Sequence, residues 1–175
     1  MKTNQKINNF YTPEELLQLE TYVESVVHKS NLFSIEKNLG RYYGVIQDKL
    51  MSNYAIGNFP NNLLYKVQKF AEDIFKVDNL QIFDIIIIRY TNEYGLVPKL
   101  HMHKDGGSLT KYTVDYQYKS NTDWAITVED QDFYLKDNQA LTFLGSKQLH
   151  GRPEKIFNNG EYVENIFFQF IEKRN

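Results

Sequence analysis

The chain has 175 residues, 20 basic and 22 acidic side chains, a formal net charge of -2 and no cysteine. At ~100–200 residues per domain this reads as one domain, residues 1–175, with enough chain to enclose a core without disulfides or a structural zinc. The lack of thiols excludes a disulfide-stapled scaffold, a zinc finger and cysteine chemistry, and the absence of long single-sign blocks gives no indication of a nucleic-acid face. No apolar run approaches the ~20 residues of a spanning helix. The first ten residues are polar and Asn-rich, without the apolar segment of an export signal, so the expected compartment is the cytoplasm.

Thr12-Pro13-Glu14-Glu15 is the first element signal. Thr12 can accept from a free helix N–H, Pro13 has no N–H to leave unpaired, and Glu15 can reach back, which makes a capping box. Leu16, Leu19, Val23, Val26 and Val27 then recur at helical spacing, and the pattern fades after His28. A second helix follows Pro60, with Leu63, Leu64, Val67, Phe70, Ala71, Ile74 and Phe75 in one stripe opposite Lys66, Lys69 and Asp73. Residues 32–59 lie between the helices and show only short strands or irregular structure.

Near residue 82 the period changes from 3.6 to 2. Residues 82–90 read as a buried strand, Tyr112, Val114, Tyr116 and Tyr118 alternate with Thr113, Asp115 and Gln117, and Trp124, Ile126 and Val128 alternate with Ala125 and Thr127. Further strands are expected at 133–135, 140–144, 147–150 and 162–171, with turn residues at 121–123, 136–138 and 158–160. Closely spaced strands without intervening helices imply an antiparallel sandwich or barrel. The expected fold class is α+β: residues 1–80 form a mainly helical support packed on one face of a β core spanning 82–171.

Chemistry concentrates in that β half. In extended chain, residues two apart point the same way, so His103 and Asp105 can present an imidazole and a carboxylate to one point. His150 follows the apolar strand 140–144 and a turn at Gly145. Two imidazoles and one carboxylate on one side of a metal form the facial triad that leaves open positions on iron(II). A zinc hydrolase would use similar ligands but also needs a general base and an oxyanion stabiliser, for which no motif is present. His101 shares the strand parity of His103 and reads as a bystander. His28 closes the first helix, and Trp124 reads as barrel packing.

The run of Ile87-Ile88-Arg89-Tyr90, residues 98–105, Thr113-Val114-Asp115-Tyr116, residues 137–145 and His150-Gly151-Arg152 resembles the core of the iron(II)- and 2-oxoglutarate-dependent oxygenases, nearest to the prolyl-hydroxylase-like branch. The resemblance implies a double-stranded β-helix (jelly roll) with His103, Asp105 and His150 as iron ligands at one open mouth. It implies a dioxygenase that hydroxylates an unactivated C–H of a small-molecule or amino-acid-type substrate while 2-oxoglutarate and dioxygen yield succinate and CO2, with ascorbate as a supporting reductant. Retention of Asp105 favours hydroxylation over the halogenation of relatives that lack this carboxylate.

The cosubstrate's far carboxylate meets an Arg on the last core strand in many members of that family, and residues 159–164 hold no Arg or Lys here. Arg152 is the nearest substitute; Arg89, Lys99 and Lys111 are rivals, and of the four arginines only Arg152 and Arg89 read as placed for the role. Tyr90, and more weakly Tyr116, match cosubstrate-facing positions. The substrate pocket is expected among residues 30–60, 91–98 and 106–111. The different reading of the same residues is a cupin-like jelly-roll module that holds a metal or ligand without redox activity. Neither a nucleic-acid nor a membrane partner is implied, and oligomeric state is open.

Overall fold

The computed structural model describes residues 4–48, 56–95 and 97–173. Thr12 caps the first helix, α1 (Pro13–Tyr22), through the expected reciprocal pair: Glu15 N–H donates to Thr12 Oγ1 at 3.3 Å, and Thr12 N–H to Glu15 Oε2 at 2.8 Å. The helix does not continue as regular α to His28. Residues Val23–Val27 form a π turn, closed by His28 N–H on Val23 O at 2.9 Å. Thr21 and Ser25 hydroxyls bond carbonyls four residues back, which loosens the regular ladder. The wider turn keeps both Val23 and Val27 fully buried. The second helix, α2 (Asn61–Phe75), buries Leu63, Val67, Ala71 and Phe75 and ends at Lys76 in the left-handed conformation, φ 55.

Eight strands build the core: β4 (Leu80–Thr91), β5 (Leu100–His103), β6 (Tyr112–Ser120), β7 (Ala125–Val128), β8 (Gln131–Tyr134), β9 (Gln139–Leu144), β10 (His150–Arg152) and β11 (Tyr162–Glu172). They divide between two antiparallel sheets, with β9-β6-β11-β4 in the larger and β5-β10-β7-β8 in the smaller. The chain crosses repeatedly from one sheet to the other, which is the double-stranded β-helix expected from the sequence. Residues 147–149 form a turn instead of the expected strand start, and β10 begins at His150.

The first 80 residues are less helical than expected. Three of their strands extend the larger sheet: β1 (Gln5–Ile7) pairs with β9, and β2 (Ser34–Glu36) and β3 (Arg41–Asp48) continue beyond β4. Residues 41–46 alternate no polar with apolar side chains, so the period of 2 that marks a strand is absent from the sequence. Gly40, φ 58, turns the chain into β3; a Cβ there would come within 2.7 Å of Val97 and Pro98 backbone atoms.

The larger sheet is covered on both faces. Its outer face carries Tyr112, Val114, Tyr116, Phe168 and Phe170 against the helices, and its inner face carries Ile88, Tyr90, Val163 and Phe167 against Trp124, Ile126 and Val128 of the smaller-sheet side. The polar partners on β6, Thr113, Asp115 and Gln117, are 1%, 0% and 1% exposed, so they face the barrel interior and not water. No described helix is long and apolar enough to cross a membrane.

Candidate metal centre

His103 and His150 end up side by side because β5 and β10 are antiparallel neighbours in a register that pairs these two residues directly, with ring centroids 4.4 Å apart. Gly151 permits the close strand approach: a Cβ there would meet Leu100 O at 2.6 Å. Asp105 follows β5, and its backbone N–H is held by Gly145 O at 2.9 Å in the turn after β9. Its Oδ1 lies 3.7 Å from His103 Nε2 and 3.6 Å from His150 Nε2. The three ligand atoms lie within 4.8 Å of one another, making the group of His103, Asp105 and His150 fit for one metal ion.

Each imidazole is oriented in the same way. His103 Nδ1 bonds His101 O at 2.8 Å and His150 Nδ1 bonds Gln148 O at 3.0 Å. A carbonyl only accepts, so Nδ1 carries the proton and Nε2 offers its lone pair to the centre. Gln169 Nε2 donates to Asp105 Oδ2 at 2.9 Å, leaving Oδ1 for the metal. Burial opposes ionisation of Asp105, but His103 and His150, when their imidazoles are protonated, outweigh it and hold the carboxyl well below the usual range. The donor set, nitrogen and oxygen without sulfur, suits iron(II).

A cavity of about 130 Å³ opens on this triad. Its walls include Ile86, Ile88, Leu100 and Phe167, and Thr113, whose buried Oγ1 has no hydrogen-bond partner among the described residues. Arg41 also lines it, from within residues 32–59, whose sequence carries no legible pattern.

The remaining expected residues are dispersed. Arg152 is fully buried inside the barrel, where Nη2 donates to Asp115 Oδ2 at 3.3 Å and Nη1 to Trp124 O at 3.1 Å. Asn165 Nδ2 also donates to Asp115, at 2.8 Å, while Arg152 Nε and Asn165 Oδ1 have no hydrogen-bond partner among the described residues. Tyr90 is buried, with the guanidiniums of Arg41 and Arg152 each 5.9 Å from its ring centroid. Tyr116 does not face the metal ligands: it points to the helix side of β6, packs on Tyr11 and Phe10 and donates to Asn138 Oδ1. The alternation that marks β6 as a strand places 116 with 112, 114 and 118, opposite Asp115.

Arg89 points the same way, bonding Glu164 at 3.1 Å and stacking on Tyr162. Lys99 pairs with Glu154, and Lys111 lies over the Phe83 ring. His101 is exposed and gives only its carbonyl to the site, and Trp124 is packed in the barrel as expected. Of the segments where a substrate pocket is expected, 49–55 and 96 lie outside the described residues.

No protein-family profile and no curated protein sequence matches the chain. Solved structures do. The α-ketoglutarate-dependent epimerase SnoN of nogalamycin biosynthesis superposes with TM-score 0.73 at 9% identity, covering 97% of this chain and 78% of the epimerase. HygX from Streptomyces hygroscopicus, solved with nickel and 2-oxoglutarate, gives 0.64 at 9% identity over 97% and 83% of the two chains. A prolyl hydroxylase from Trichoplax adhaerens, in complex with a hypoxia-inducible-factor peptide, gives 0.63 at 13% identity over 98% and 84%. The likeness at these identities is one of fold, and by fold the chain is similar to the 2-oxoglutarate- and iron(II)-dependent oxygenases, the prolyl-hydroxylase-like branch included.

Proposed function

We propose that the protein is an iron(II)- and 2-oxoglutarate-dependent dioxygenase that hydroxylates an unactivated C–H of a small-molecule or amino-acid-type substrate. The observation that carries this reading is the convergence of His103 Nε2, His150 Nε2 and Asp105 Oδ1, with both Nδ1 atoms tied to carbonyls. Bound iron, with the oxo acid and dioxygen, supplies the oxidising chemistry, which releases succinate and CO2.

The chain's own residues do the placing. His103, His150 and Asp105 would hold the metal, and the cavity they line would receive the ligand beside it. Ile86, Ile88, Leu100 and Phe167 give that space an apolar wall, and the Thr113 hydroxyl, without a partner among the described residues, can bond a ligand held there. A cavity of about 130 Å³ suits a small acid beside the metal. Support for a small substrate also comes from the neighbours: SnoN is solved with nogalamycin RO and HygX with hygromycin B.

Purified protein supplied with iron(II), ascorbate and 2-oxoglutarate is expected to form succinate slowly even without its prime substrate, and Asp105→Ala to abolish that turnover. Undiminished succinate formation in both His103→Ala and His150→Ala would overturn the assignment. Metal binding without oxygen consumption would instead point to a ligand-binding module.

A further inference from the structure

Among the described residues, the cavity beside His103, Asp105 and His150 has one arginine and no lysine in its wall: Arg41, from β3, a strand outside the eight of the barrel. We infer that Arg41 receives the far carboxylate of the 2-oxo acid, and that Arg152 serves the barrel interior instead. This inference rests on the cosubstrate assigned in the proposed function.

The two guanidiniums differ in what their N–H groups already do. Arg152 has both Nη atoms engaged, by Asp115 and by the Trp124 carbonyl, and it does not line the cavity. Arg41 is tied at the other end of its fork: Nε donates to Glu36 Oε2 at 2.5 Å. Nη1 reaches Tyr90 Oη only at 3.4 Å, and Nη2 has no partner among the described residues. The Nη edge is therefore available to a carboxylate, which a planar fork can bind through two parallel N–H groups.

Arg41 is also held in advance. Its guanidinium lies 5.6 Å from the Tyr43 ring and 5.9 Å from the Tyr90 ring, so ordering it on binding costs little. The backbone just before it is fastened to the chain that leads into β5. Thr91 N–H bonds Gly40 O at 3.2 Å, and Lys99 N–H bonds Leu39 O at 3.1 Å. The contact of Gly40 with Val97 and Pro98 completes this link. The strand with Arg41 and the strand with His103 are thereby fixed relative to each other, as an anchor for two ends of one ligand requires. The other cationic candidates are occupied elsewhere: Arg89 by Glu164, Lys99 by Glu154 and Lys111 on Phe83.

The test is a binding measurement that involves no turnover. Calorimetric titration of the manganese(II)-loaded protein compares 2-oxoglutarate with 2-oxopentanoate, which has a methyl group where the far carboxylate would be. The wild type is expected to prefer 2-oxoglutarate by at least roughly tenfold, the size of one charge-assisted pair, and Arg41→Gln to lose most of that preference. Manganese affinity reports whether each variant is folded. Should Arg41→Gln fail that control, Arg41→Lys keeps the charge without the fork and is expected to reduce the preference. A preference unchanged in the folded variant, Gln or Lys, overturns the inference and leaves the proposed function standing. A wild type that binds no 2-oxoglutarate in the presence of manganese overturns both.

Discussion

Gly145 leaves the space that the Asp105 side chain occupies beside His103 and His150. A Cβ at this position would lie 2.0 Å from Asp105 Oδ2 and 2.6 Å from Thr113 Oγ1, so the carboxylate and the hydroxyl use space that only glycine leaves. Gly145→Ala is expected to push the Asp105 side chain off the metal axis and lower manganese or iron(II) affinity about 10–100-fold, the usual cost of disturbing a ligand's supporting contacts. A metal titration checks this, with circular dichroism confirming that the sheets persist. At this scale the convergence of His103, Asp105 and His150 was legible in the sequence for a physical reason. His103 and Asp105 are two apart, a spacing that puts the side chains of extended chain on one side, and the chain has only four histidines. Arg41 was not legible, because nothing local says which arginine a strand pairing will bring to a cavity. Gln169, which orients Asp105 from β11, is likewise placed by pairing across the sheet.

Elements whose signals are chemical caps or one-sided stripes appear where the sequence puts them. Thr12 starts α1, and the stripe from Leu63 to Phe75 is the buried face of α2. β3 carries no such signal, because residues 41–46 do not alternate polar with apolar side chains. The α1 extension is docked by His28. Its Nε2 lies 2.7 Å from Glu164 Oε1 on β11, while Nδ1 meets Glu24 at 3.1 Å; Arg89 shares Glu164, and Glu164 is 1% exposed. The bond to Glu164 raises the His28 pKa above its ordinary value, against burial, which lowers it. A raised pKa in the folded protein means that the contact stabilises fully below the unfolded-state value of about 6.5 and fades as pH rises through the folded value. The difference in melting temperature between wild type and His28→Gln is therefore expected to be largest in mild acid and to shrink toward alkaline pH. A difference independent of pH would assign His28 to packing alone.

At the scale of the whole molecule, the larger sheet separates two interiors of different character. The helix side is aromatic and aliphatic, and the barrel side holds Asp115, Arg152 and Asn165 at full burial. Burial raises the Asp115 carboxyl pKa, and the Arg152 charge beside it pulls the other way. Removing one partner would strand a charge in low dielectric, so Arg152→Met is expected to cost about 3–5 kcal/mol of unfolding free energy, with much of it regained in Arg152→Met/Asp115→Leu. Urea titrations of the single and double variants measure this. The general architecture was legible because strand spacing without helices leaves few ways to close a sheet. The polar face of β6 was not, since a strand's alternation distinguishes its two faces without saying which one meets water.

The order of the larger sheet also has a consequence in time. Gln5 lies opposite Thr142, and β11, the last strand, sits between β6 and β4. Most of these pairings join distant parts of the sequence, so loop-closure entropy is spent before contacts repay it, and folding is expected on the millisecond-to-second scale of β-rich topologies. Until β11 inserts, β4 and β6 each have an unpaired edge. The strand that carries Gln169 to Asp105 is thus also the one that ends the interval in which a nascent chain is exposed to edge-to-edge aggregation.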